Sequence, residues 1–140
     1  MYESLTKFIP LVERTESYGE WIADREHAGT PDNPKRWPYV GYSGLVIEVE
    51  EAVYVFVDAH PEMGLMHYSS ILEQGGLEWG FESMEGADVS TLDGRVVMAL
   101  LVGAIRAERF CDGALKRFFE RGCIARWLRR LREIDAAGTS

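Results

Sequence analysis

The sequence predicts an all-α fold. It reads as one domain over residues 1–140, with five to seven helices packed around a central apolar helix at about 91–111. Three observations predict this. The decapeptide Val96–Ile105 carries no charge, as expected of a helix buried nearly all round. Elsewhere apolar residues recur at three- and four-residue spacing, the period of a helix face. Glycines stand where those stripes stop, and glycine readily takes the left-handed conformation that closes a helix. The length of 140 residues suits one domain with a real core. At 46% hydrophobic and 27% charged residues the chain is globular material rather than a disordered tail.

Leu5, Phe8, Ile9 and Val12 share one helical face. Pro10 interrupts it, so a kink or early stop is predicted there. A second short piece, Tyr18–Glu26, carries Tyr18, Trp21 and Ile22 on one side. His27–Ser43 holds three prolines and two glycines and reads as a loop, with Pro38 keeping Trp37 extended. Ser43 can cap the next helix, since its hydroxyl accepts a bond from a free backbone N–H. Leu45–Asp58 is rich in valine and has to be decided between strand and helix. Leu45, Val49, Ala52, Val53 and Phe56 make a helical stripe, with Glu48, Glu51 and Asp58 opposite. Strand alternation would bury Glu51, so helix is predicted.

Tyr68–Gln74 reads as a short helix stopped by Gly75 and Gly76. Leu77–Met84 lacks a long period and admits a small hairpin, 77–84. Ser90 or Thr91 is the expected cap of the long central helix, which should end near Asp112-Gly113. Ala114–Glu120 forms the next helix and Gly122 ends it. The last helix, about Cys123–Ile134, buries Ile124, Trp127, Leu128 and Leu131, with Arg126, Arg129, Arg130 and Arg132 mostly opposite. No repeat appears at solenoid periods.

Composition narrows the function classes. Cys111 and Cys123 are the only cysteines; Cys111, with no histidine close in sequence to activate it, reads as core or half-buried. Two thiols make no disulfide framework, and Tyr2–Glu13 has no signal-peptide character, so a cytoplasmic location is expected. The uncharged decapeptide is about half the length of a membrane span. His27, His60 and His67 lack metal-ligand spacing, so no metal and no cofactor are expected. Ser4-Leu5-Thr6-Lys7 matches a penicillin-binding string, but its companion motifs are absent and Ser4 reads better as a cap. Residues 1–105 hold six Lys/Arg against eighteen Asp/Glu, while 106–140 hold nine against five. This asymmetry reads as a basic helix lying on an acidic body. The whole chain has a net charge of −8, which disfavours direct nucleic-acid binding despite the C-terminal arginines and Trp127.

The stretch "IRAERFCDGALKRFFERGCIARWLRRL", 105–131, resembles the C-terminal signature R-x-E-R-F-x-x-G of a bacterial family catalogued as domain of unknown function 6508. "PYVGYS" and "HYSSILEQGG" resemble two weaker elements of the same family. The resemblance implies a small, all-helical protein and supplies no activity.

Two candidate sites stand out. Arg106, Glu108, Arg109 and Asp112 cluster at the predicted end of the central helix, with Glu108 and Asp112 sharing a face at i, i+4. One reading is an internal lock, in which arginines and carboxylates tie helix ends together. The other is a ligand pocket completed by Tyr39, Tyr42 and Ser43. There an arginine holds an anion, and Glu108, Asp112 and Arg109 would be the catalytic set of an enzyme. The second candidate is acidic. Glu73, Glu78, Glu82, Glu85, Asp88 and Asp93 occur with no lysine or arginine between them, and Trp79, Phe81 and Met84 are interleaved. Glu73, Glu78, Trp79, Glu82, Glu85 and Asp88 are the expected partner-binding residues. Such a surface suits a protein with a basic face, the aromatics anchoring and the acids steering; the carboxylates could also imitate nucleic-acid phosphates in an inhibitor. Binding rather than catalysis is the expectation. Oligomeric state is not legible in the sequence.

Overall fold

The computed structural model describes residues 1–15, 17–22 and 39–138. In chain order these form α1 (Glu3–Thr6), α2 (Ile9–Arg14), β1 (Gly19–Ile22), β2 (Tyr39–Tyr42), α3 (Gly44–Ala59), α4 (Tyr68–Gln74), α5 (Phe81–Glu85), α6 (Gly94–Ala107), α7 (Ala114–Glu120) and α8 (Cys123–Ala136). Single 3-10 turns occur at Pro61–Met63, Leu65–His67 and Val89–Thr91. The fold is the expected all-α bundle. The predicted loop residues 27–38, with His27, Trp37 and Pro38, lie outside the described residues.

The uncharged decapeptide is the hub. Every residue from Val97 to Ile105 is buried. Helix α6 packs on α3, α4, α7 and α8, and α8 closes the far side against α1 and α2. Among the described residues no charged side chain is fully buried. Apolar burial, worth roughly 25 cal/mol per Å² removed from water, therefore supplies the cohesion.

Local chemistry accounts for most boundaries. Pro10 sits in the first turn of α2, where its missing N–H costs nothing, and α1 stops one turn before it. Ser43 caps α3 by accepting the Val46 N–H. Helix α3 buries Val46, Val49, Val53, Phe56 and Val57 and leaves Glu48, Glu51 and Asp58 exposed. The arginines of α8 reach the neighbouring elements, one through an acid and two through backbone carbonyls. Arg129 pairs with Glu13 at 2.8 Å, while Arg126 and Arg130 donate to the carbonyls of Glu85 and Leu92.

Several expectations are corrected. The hairpin predicted at 77–84 is absent there, because Phe81–Glu85 turns helical and packs toward α7. The ribbon occurs instead between Gly19–Ile22 and Tyr39–Tyr42, antiparallel, with Gly19 opposite Tyr42. Of the predicted piece Tyr18–Glu26, Gly19–Ile22 is this strand and 23–26 lie outside the described residues; Trp21 is 54% exposed. The cap of α6 is Asp93, whose carboxylate accepts the Val96 N–H at 3.0 Å. Ser90 and Thr91 belong to the preceding turn, capped by Asp88. The central helix is also shorter than expected, running over 94–107 rather than to about 111.

Candidate functional site

The early stop of α6 creates the site. Its last turn tightens into i to i+3 bonds, with Glu108, Arg109 and Phe110 N–H donating to the carbonyls of Ile105, Arg106 and Ala107. The chain then turns at Gly113, whose φ is +88°. A side chain is excluded there twice over. The backbone is left-handed, and a Cβ would lie 2.6 Å from the Trp21 ring.

The turn is held by Glu108. Its carboxylate accepts the Tyr42 hydroxyl at 2.6 Å, the Gly113 N–H at 3.0 Å and the Leu115 N–H at 3.0 Å. The Tyr42 oxygen in turn accepts the Lys116 N–H at 3.0 Å. One glutamate and one tyrosine thus satisfy the free donors of the first turn of α7 and join it to β2. Charge-assisted bonds of this kind are the stronger ones. Burial first, and then the bond to Glu108, push the Tyr42 hydroxyl well above the ordinary tyrosine range, against the opposing pull of the Lys116 N–H. Tyr42 therefore stays a neutral donor.

The other predicted members scatter around this node. Glu108 and Asp112 do not share a helical face, because the helix has ended; Asp112 is exposed. Arg109 is exposed as well, and Arg106 is half-buried. Ser43 is occupied as the α3 cap. Tyr39 lies in β2, and its side chain is outside the described residues. Cys111, expected to be core or half-buried, is exposed for the same reason that Asp112 is. Cys123 is buried.

Two concavities flank the node. The larger, about 520 Å³, is an aromatic cleft between β1, α5 and the turn before α7. Trp21, Trp79, Phe81 and Phe110 supply its apolar wall, and Asp112, Lys116, Arg117 and Glu120 its charges. Its volume and mostly apolar lining are those of a ligand or side-chain pocket. Trp79 is fixed by an indole N–H bond of 3.0 Å to the Gly103 carbonyl and by edge contacts with Tyr68 and Phe110. Phe110, 75% exposed, stands at the cleft mouth.

The smaller concavity is a polar hollow of about 420 Å³, lined by Glu50, Tyr54, Ile105, Arg106, Glu108 and Arg109. Burial first, then the charges of Glu108 and Glu51, raise the pKa of Glu50. The Tyr54 hydroxyl, against the pull of burial, and then the Tyr68 hydroxyl raise the pKa of Arg106 above its ordinary value. The Arg106 Nε is sealed from solvent with no hydrogen-bond acceptor. Among the described residues neither Arg106 nor Arg109 makes an ion pair.

The acidic candidate divides. Glu73, Glu78, Glu82 and Asp88 are exposed, and Trp79 is 36% exposed. Glu85 is half-buried and pairs with Arg121 at 3.6 Å. Asp88 accepts bonds from Ser90. Sequence reasoning missed Trp21 and Phe110 in the cleft, and Glu50 and Tyr54 in the hollow. A signal existed for two of them. Phe110 is a lone aromatic among charges just before Asp-Gly, and Glu50 is the acid of α3 that adjoins its apolar stripe.

Among the described residues no three His, Cys, Asp or Glu side chains group as a metal site, and no helix is long and apolar enough to cross a membrane. The model of a family described as "Family of unknown function (DUF6508)" matches residues 1–137. No curated protein and no solved structure matches the chain.

Proposed function

We propose, for a chain that belongs to the DUF6508 family and inherits no activity from it, a non-catalytic role: binding a protein partner with a basic surface through the aromatic cleft and the acids beside it. The observation that carries this is the charge state of the rim. The cations there are engaged: Lys116 with Glu120, Arg121 with Glu85, and Arg117 stacked on Phe81. Glu78, Glu82 and Asp112 have no ion pair among the described residues. A partner is therefore met by apolar wall and unpaired carboxylates, which steer a cationic surface and suppress acidic ones. An inhibitor imitating nucleic-acid phosphates is one form this role can take. A cytoplasmic setting fits it.

The test is affinity capture from a native lysate with the wild-type chain and with the variant Glu78→Lys/Glu82→Lys/Phe110→Ala. A basic protein retained by the first and lost from the second is expected. Identical capture by both would falsify the proposal.

A second reading rests on Arg106 and Arg109, which line the polar hollow and make no ion pair among the described residues. A guanidinium beside an open hollow suits a small oxyanion. On this reading inorganic phosphate raises the melting temperature of the wild type but not of Arg109→Ala. Glu108 is poorly placed as a catalytic base, since three donors already occupy its carboxylate.

A further inference from the structure

The walls of the cleft say more about what enters it. We infer that the corner between Trp79 and Phe110 is a subsite for an arginine side chain of the basic partner. This deepens the docking role proposed above and rests on it.

The two rings meet at 78° with centroids 5.5 Å apart. Two aromatic planes at nearly a right angle let a planar cation stack on the face of one ring while its N–H edge points at the face of the other. The face of an aromatic ring carries negative quadrupole potential, and tryptophan attracts cations best. The corner is built before any ligand arrives. Trp79 is pinned by its N–H bond to the Gly103 carbonyl and by Tyr68. Gly103 leaves room for it, since a Cβ there would come within 3.3 Å of the indole. A wall already immobile loses little entropy on binding. Phe110, three-quarters exposed, leaves its ring open to a ligand.

The same cleft already contains one such pair. The Arg117 guanidinium lies 3.6 Å from the centroid of Phe81. Phe81 is thereby occupied, while Phe110 and Trp79 have no cation over them among the described residues. Asp112 lines the cleft without an ion pair and supplies a countercharge. Arginine is favoured over lysine because its guanidinium is planar and weakly hydrated, so it gives up water to stack at lower cost. An apolar anchor would leave Asp112 unanswered.

The experiment follows tryptophan emission while the full chain is titrated with hexa-arginine. Hexa-citrulline, the uncharged isostere, and hexa-lysine are the comparison probes. Phe110→Leu keeps the apolar volume and removes the π face. Because Phe110 is so exposed, this variant is expected to fold, and its circular dichroism checks that. Hexa-arginine should bind the wild type, hexa-citrulline should not, and hexa-lysine should bind more weakly. Phe110→Leu should weaken hexa-arginine binding roughly 3- to 30-fold, the span of a cation–π contact. Equal binding by Phe110→Leu and wild type overturns the corner while the acidic docking surface stands. Glu78→Lys/Glu82→Lys binding as well as wild type sinks the docking surface while the corner stands. Equal binding of hexa-citrulline, or of hexa-lysine, overturns the choice of an arginine. So does a dimer in sedimentation that Phe110→Leu abolishes, since the corner's occupant is then a second copy.

Discussion

The aromatic cleft and the polar hollow both draw on the end of α6, with no lining residue in common, and are built on opposite terms. Both open where α6 stops and Glu108 turns the chain. The cleft leaves large apolar rings toward solvent and holds them by packing and one indole hydrogen bond. The hollow gathers two arginines and two carboxylates at the end of an apolar helix. What separates them is Glu108 itself, whose three accepted bonds make it a strut rather than a reagent. Chemistry-bearing residues can therefore cluster in sequence while one of them serves only to position the rest.

The comparison is broken most directly at the strut. Glu108→Ala strands the Tyr42 hydroxyl and two backbone donors, and should cost about 3 kcal/mol in urea denaturation. A loss below about 0.5 kcal/mol would mean the turn is held elsewhere. Next comes Gly113→Ala, which forces a side chain into a left-handed residue against Trp21. About 2 kcal/mol is expected, with a shift in Trp21 fluorescence as the local readout.

Glu50→Gln acts on the hollow with the opposite sign. The folded protein raises the pKa of Glu50, so the native state holds its proton more tightly than the unfolded chain does. That contribution is fully present below the ordinary glutamate range and is lost as pH rises through the raised value. Glu50→Gln should therefore raise the melting temperature slightly at pH 7, with the gain fading as pH falls toward the ordinary glutamate range. A gain independent of pH would show that charge is not the cause. The smallest stability effect belongs to Phe110→Ala, within about 0.5 kcal/mol for so exposed a side chain. Loss of partner capture without loss of stability would sharpen the contrast between a binding ring and a structural glutamate.

Legibility varied with the range of the interaction. The stripe of α3, the Ser43 cap, the short α4 and the basic α8 were readable, because period and capping act within a few residues. The end of α6 was not. Ile105–Cys111 is a good helical string, and nothing in it shows that a carboxylate will cap the next helix instead. The pairing of Glu108 with Tyr42 spans 66 residues. The acidic surface was half legible: the carboxylates were visible as a run, but the engagement of Glu85 by Arg121 was not.

By itself the sequence determined the fold class, the apolar hub and the lopsided charge, all of which follow from near-neighbour spacing and composition. Only the tertiary structure decided that Glu108 is a strut, that Asp112 and Arg109 face different concavities, and that Phe110 and Trp21 share a cleft. Those outcomes depend on which distant backbone donors a side chain can reach, and reach is a property of packed helices rather than of any one of them.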